Sequence, residues 1–165
     1  MYAYTGNGAY CYANSLHMCL QAAGADNLPH PGFLECLTTM PFGKLYVRAG
    51  EVPMFFPGSP EVEPDSGVTI ALKTLGWTSD ETVGGTEAEA LKRLRAAVKI
   101  APVMVGPLDM GHLTFNPNYK NLYGADHFVA VLGFEDDWLR VHDPAGFPYA
   151  RVPIADFMTA WRADN

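Results

Sequence analysis

Cys11, His127 and Asp143 lie far apart in the chain, yet together they are the residue types that acyl transfer needs. A thiolate is a strong nucleophile. An imidazole can take its proton and give one back to a leaving group, and a carboxylate can orient the imidazole. Asn7 and the backbone N–H of Cys11 are the nearest donors for an oxyanion. Asn7 is equally well explained as an ordinary turn residue.

Cys11 falls where a helix is expected to begin. Thr5-Gly6-Asn7-Gly8 is turn-forming, and Leu16, Cys19, Leu20 and Ala23 keep helical spacing as far as Gly24. A helix start offers free N–H groups and a partial positive charge, which favour a thiolate. A single cysteine is more often a small buried hydrophobe, so the argument rests on the three residues together. Cys19, on the apolar face of the helix, is read as such a hydrophobe. Cys36 carries no signal.

His127 opens the apolar run Phe128 to Phe134, a strand buried on both faces, and Trp138 to His142 is the next strand. If Glu135-Asp136-Asp137 forms a three-residue loop, Phe134 pairs with Trp138 and Val129 lies across from Asp143. His127 and Asp143 then share a face as diagonal neighbours. A two-residue turn would put them on opposite faces. His142 is expected to point away. His17 lies roughly 240° round the helix from Cys11 and makes a poor base. His30, between two prolines, is uninformative.

The polar loop 109–125 precedes that strand. Asp109 and His112 within it, with Asp126 at its end, are the candidates for substrate recognition. Asp109 is equally suited to capping its own loop. Asp109, His112 and His127 lack metal-ligand spacing, so no metal site is expected. Gly84-Gly85 reads as an interhelix turn and not as a phosphate loop.

The remaining elements must carry these residues. A second helix is expected over 66–75, with Ser66 as N-cap and Val68, Ala71, Leu72 and Leu75 on its apolar face. Thr86-Glu-Ala-Glu89 is a capping box for a third helix, whose buried stripe is Leu91, Leu94 and Val98. Val52 to Glu63 carries Pro53, Pro57 and Pro60 and reads as an irregular surface excursion. Strands are expected over 102–106, 127–134, 138–142 and 149–152. Pro153 fits the first turn of a final helix with Phe157, Met158 and Trp161. Helices first and an antiparallel sheet afterwards make an α+β layout. At 165 residues, one domain spanning 1–165 is expected.

Eighteen acidic residues against eleven basic ones leave a formal charge of −7. That argues against nucleic acid or an anionic membrane as partner. No stretch is long and apolar enough to span a bilayer, and no signal peptide is visible. The three cysteines do not make a disulfide framework, since Cys11 and Cys19 would sit about 12 Å apart along their helix. A cytoplasmic setting is expected.

Two segments carry a family resemblance. The helix Cys11-Tyr-Ala-Asn-Ser-Leu-His-Met-Cys-Leu-Gln-Ala-Ala-Gly24 resembles the nucleophile helix of papain-fold bacterial cysteine enzymes. Ala125-Asp-His-Phe-Val-Ala-Val-Leu-Gly-Phe134 and Val141-His-Asp-Pro-Ala-Gly146 resemble their His and Asp strands. The chain is similar to the bacteriocin-processing double-glycine cysteine peptidases. It is more similar to the N-terminal domain family of butirosin biosynthesis protein H, an acyltransferase. For that family Met40-Pro-Phe-Gly-Lys-Leu-Tyr46 and Pro102-Val-Met-Val-Gly-Pro-Leu-Asp109 look like the middle segments. The glutamine that precedes the peptidase nucleophile has no counterpart here, and no Gly-Pro or Ala-Pro pair follows Cys11.

The resemblance implies a papain-like catalytic domain in which Cys11 attacks an acyl carbon, His127 shuttles the proton, Asp143 orients His127 and Asn7 stabilises the oxyanion. The expected substrate is a small natural product or a short peptide, with an acyl-thioester as a candidate donor and no cofactor required. The alternatives are a peptidase of the bacteriocin-processing type and a non-catalytic binding domain that kept the fold.

Overall fold

The computed structural model describes residues 1–6, 10–49, 52–58 and 63–162. In chain order come α1 (Cys11–Ala22), α2 (Pro31–Leu37), β1 (Lys44–Ala49), β2 (Val52–Pro57), α3 (Pro64–Thr74) and α4 (Glu87–Ala97). There follow β3 (Val103–Asp109), β4 (Asp126–Glu135), β5 (Trp138–Asp143), β6 (Phe147–Pro153) and α5 (Ile154–Arg162). The chain divides into two compact units. One comprises Met1–Leu28 and Val83–Asn165, the other Pro29–Thr82.

The first unit is α+β. Its sheet runs β3-β4-β5-β6 with every neighbouring pair antiparallel. Phe128 to Val131 of β4 are all buried, so both faces of that strand are covered. Val129 and Val131 join a core with Leu94 of α4 and with Phe157 and Met158 of α5. α1 packs against β4, where the Tyr12 ring meets Phe128 edge-on at 6.1 Å between centroids. Sequence dictates much of this locally. Thr86 caps α4 by accepting from the Glu89 N–H, and Glu89 accepts in return from the Thr86 N–H at 2.8 Å. Pro153 ends β6 and Ile154 opens α5, one residue later than the proline alone suggests.

The β4–β5 hairpin departs from expectation in an instructive way. Glu135 pairs with Trp138, so the connection is the two-residue turn Asp136-Asp137 and not a three-residue loop. Asp136 adopts φ 53°, a left-handed conformation that Asp tolerates better than most residues. That register alone would put His127 and Asp143 on opposite faces. A bulge between Val131 and Gly133 adds one residue to β4, after which Val131 pairs with Val141 and Ala130 with His142. Continued by one residue, the register sets Val129 across from Asp143. Two local departures therefore cancel, and the expected diagonal relation is recovered.

The second unit holds α2, α3 and the antiparallel ribbon β1–β2. The ribbon corrects the reading of 52–57 as irregular; residues 59–62 of that stretch lie outside the described residues. Pro53 and Pro57 fit a strand here because in a two-stranded ribbon each strand is an edge strand, where a missing N–H need not break a ladder. α3 begins at Pro64 with Glu63 as N-cap, and not at Ser66. Proline at the first helical position has its φ set for the helix and lacks an N–H that would be idle there. Among the described residues no helix is long and apolar enough to cross a membrane.

Candidate active site

The site grows from the first residue of α1. Cys11 is half-buried, and its N-cap, Tyr10, sits at φ 55°, ψ 55° with no side-chain cap. By helix geometry the N–H groups of the first turn have no partner inside the helix. The Ser15 hydroxyl, one turn beyond Cys11 on the same face, donates to the Phe128 carbonyl at 3.0 Å. That bond joins α1 to β4 at the residue next to His127, and so sets how far along the strand the sulfur lies.

His127 and Asp143 are both buried, at 5% and 0% exposure. His127 Nε2 donates to Asp143 Oδ1 at 2.7 Å. The other partner of the ring is the Cys11 side chain. With Nε2 committed to Asp143, Nδ1 is the ring nitrogen left for another partner. Burial by itself pulls the His127 pKa down. The hydrogen bonds to Asp143 and Cys11 and the negative charge on both outweigh it, and His127 is pushed up to about 9. At that value the ring is an imidazolium at neutral pH, hydrogen-bonded to the Asp143 carboxylate.

Asp143 is held from several sides. Its Oδ1 also accepts from the Ala145 N–H at 2.7 Å. Its Oδ2 is buried and makes no hydrogen bond among the described residues. Its backbone carbonyl accepts from the Tyr4 hydroxyl at 2.9 Å, and that hydroxyl accepts from the Gly146 N–H at 3.0 Å. The N-terminal arm thus clasps the β5–β6 turn. A Cβ at Gly6 would run into the Tyr4 hydroxyl and the Pro144 carbonyl, so the close approach requires glycine. Tyr2 adds its carbonyl, which accepts from Tyr149 Oη at 2.6 Å and lies 3.4 Å from His142 Nε2. We expect Tyr4→Phe to destabilise the protein by about 1 kcal/mol in urea unfolding, as a partly buried hydrogen-bonding group is lost.

The other sequence candidates fall in different places. Asn7 lies outside the described residues. Asp109 is buried, and its Oδ1 accepts from the N–H groups of Gly111 at 2.7 Å and Gly124 at 3.1 Å, so it closes its own loop. His112 stacks edge-on against Tyr123 and lies 4.0 Å from Asp109 Oδ2. It also lines a shallow depression of about 480 Å³ with Glu87, Met158 and Arg162. Asp126 is exposed at the start of β4, paired in register with Asp109. His142 is fully buried. Burial lowers its pKa, against the pull of the Tyr2 carbonyl, and the neutral ring accepts from the Tyr149 N–H at 3.0 Å. His17 lies 3.4 Å from the Thr5 hydroxyl, and His30 caps α2 by accepting from the Gly32 N–H.

The three cysteines are free thiols with different surroundings. Burial pushes the Cys19 thiol up to about 12, which leaves it protonated and inert. Cys36 is exposed. Among the described residues no cluster of His, Cys, Asp or Glu could hold a metal ion. Tyr4, Asn14 and Ser15 were not singled out from the sequence. The available signal was the adjacent pair Asn14-Ser15, two polar residues inside a largely apolar helix, and both are fully buried.

Comparison with known proteins adds one relative. The whole chain aligns over 166 positions, at 37% identity, with a protein of Bacillus subtilis (strain 168) named uncharacterized protein YobF. The chain spans 52% of that protein's length. No family model matches the chain, and no solved structure matches it.

Proposed function

We propose that this is a papain-like cysteine enzyme that forms acyl-enzyme intermediates on Cys11 and passes the acyl group to an amine or to water. The observation that carries the proposal is the buried His127 ring, held by Nε2 at 2.7 Å to a buried Asp143 carboxylate, with the Cys11 side chain acting with Asp143 to raise its pKa. A structural histidine needs satisfied nitrogens. It does not need a thiol at the start of a helix and a buried carboxylate behind it.

In this reading the Cys11 thiolate attacks an acyl carbonyl, and the negative charge moves to the oxygen. Collapse of that adduct breaks the bond to the leaving group, which takes the proton from imidazolium His127. A thioester remains on Cys11. An amine or water then attacks the thioester as His127 takes its proton, and the C–S bond breaks to return the thiolate. Asp143 keeps the ring oriented and favours its protonated form. The sequence similarity to the butirosin biosynthesis protein H N-terminal family supports transfer to an amine over peptide cleavage, with an acyl-thioester as donor and a small natural product or short peptide as acceptor.

Intact-mass spectrometry after exposure to p-nitrophenyl acetate, or to an acetyl thioester of N-acetylcysteamine, tests the proposal. One acetyl group per chain is expected, on the Cys11 peptide, and removable by neutral hydroxylamine as a thioester should be. Cys36 is the exposed control, and Cys19, half-buried with its pKa pushed up to about 12, is the unreactive one. Acetylation that favours Cys36, or none at all, would remove the basis for an enzyme.

A further inference from the structure

The Tyr10–Cys11 peptide is held in an unusual way. Tyr10 is a non-glycine residue at φ 55°, ψ 55°, a conformation that costs about 1–3 kcal/mol and persists only where surroundings impose it. Its carbonyl accepts two hydrogen bonds from one residue. The Asn14 backbone N–H reaches it at 3.0 Å, and the Asn14 side-chain Nδ2 reaches it at 3.1 Å. Asn14 is 0% exposed in the interior of α1, where asparagine is a poor helix former. An apolar residue would suit a buried helix position better, unless the amide has a task.

We propose that Asn14 is a positioning residue that holds the Tyr10–Cys11 peptide plane so that the Cys11 N–H stays aimed out of the helix end, as the main-chain donor to the oxyanion. The inference rests on the acyl-enzyme reading above. Its physics is short. The peptide unit is planar and trans, so the Tyr10 C=O and the Cys11 N–H point in opposite directions. Two hydrogen bonds fix the carbonyl towards Asn14, along the helix. The N–H on the other side is thereby fixed away from the helix, beside the sulfur that attacks. An oxyanion donor works by being in place before charge develops, and a peptide free to rock loses that advantage. With the side-chain bond removed, the single helical bond would leave a strained left-handed residue less firmly held.

Two reactions of the same sulfur separate this role from a merely structural one. Acylation by p-nitrophenyl acetate passes through an oxyanion; alkylation by iodoacetamide does not. In Asn14→Ala and in Asn14→Leu, which keeps the branched shape without a donor, acylation of Cys11 should slow about 10–100-fold. Alkylation of Cys11 should change less than about twofold, as the thiolate and His127 are untouched. Protection of Cys19 from iodoacetamide, on the same helix, reports that α1 is intact. Equal loss of both reactions in a variant with Cys19 still protected would overturn the proposal, as would no loss of acylation in Asn14→Leu. A wild-type Cys11 that alkylates but never acylates would overturn the acyl-enzyme reading, and this inference with it.

Discussion

In His127→Gln, acylation of Cys11 at neutral pH should fall about 10²–10⁴-fold, the range for loss of a positioned proton carrier. Glutamine is the informative replacement. Its side-chain amide can still donate to Asp143 Oδ1, so the buried carboxylate keeps a partner. An alanine there would leave that carboxylate buried with the Ala145 N–H but no imidazolium beside it, at a cost of up to about 3–5 kcal/mol, and would confuse folding with chemistry. Glutamine cannot accept and return a proton. Stopped-flow acylation with p-nitrophenyl acetate measures the rate, and far-UV circular dichroism checks the fold. A folded His127→Gln that acylates at the wild-type rate would mean that the imidazole does nothing for the sulfur.

The second large effect is on stability against pH. His127 is held at a pKa of about 9, whereas in an unfolded chain it titrates near its ordinary 6.5. The folded protein therefore binds a proton between those values that the unfolded chain releases. This contribution is fully present below about pH 6.5 and is lost as pH rises through about 9. Its size is about 3 kcal/mol for a ring only 5% exposed. Urea unfolding under reducing conditions from pH 6 to pH 9.5 should show wild-type stability falling across that window. The same series in His127→Gln should lack the fall, and in Asp143→Asn the fall should shrink, because the carboxylate is what holds the proton. A wild-type curve parallel to that of His127→Gln would show that the imidazolium is not held.

The first effect joins segments more than a hundred residues apart, and the second rests mainly on a pair sixteen residues apart across the β4–β5 hairpin. The sequence made the residue types legible, because the chemistry of Cys11, His127 and Asp143 can be recognised without coordinates. It also made α4 legible through Thr86 and Glu89, since a capping box is complete within four residues. The hairpin shows where local reading stops. The sequence points to a diagonal placement of His127 and Asp143 through a three-residue loop, while the chain uses a two-residue turn and a bulge. A bulge is chosen by how side chains pack on the two buried faces of β4, and no turn signal announces it. Similarly, Pro53 and Pro57 argued against a strand until pairing made β2 half of a ribbon.

What the amino-acid sequence determined alone was an inventory: an α+β order of elements, a thiol at a helix start, an imidazole at the head of a strand, a carboxylate sixteen residues later. Local forces suffice for these, because caps, turns and hydrophobic period act over a few residues. Tertiary structure decided the arrangement. Ser15 on the Phe128 carbonyl, Tyr4 on the Asp143 carbonyl and the bulge in β4 each bring together groups that local sequence leaves independent. The charge state of His127 depends on it too, since the hydrogen bonds and charge of Asp143 and Cys11, working against burial, are what favour the protonated imidazole.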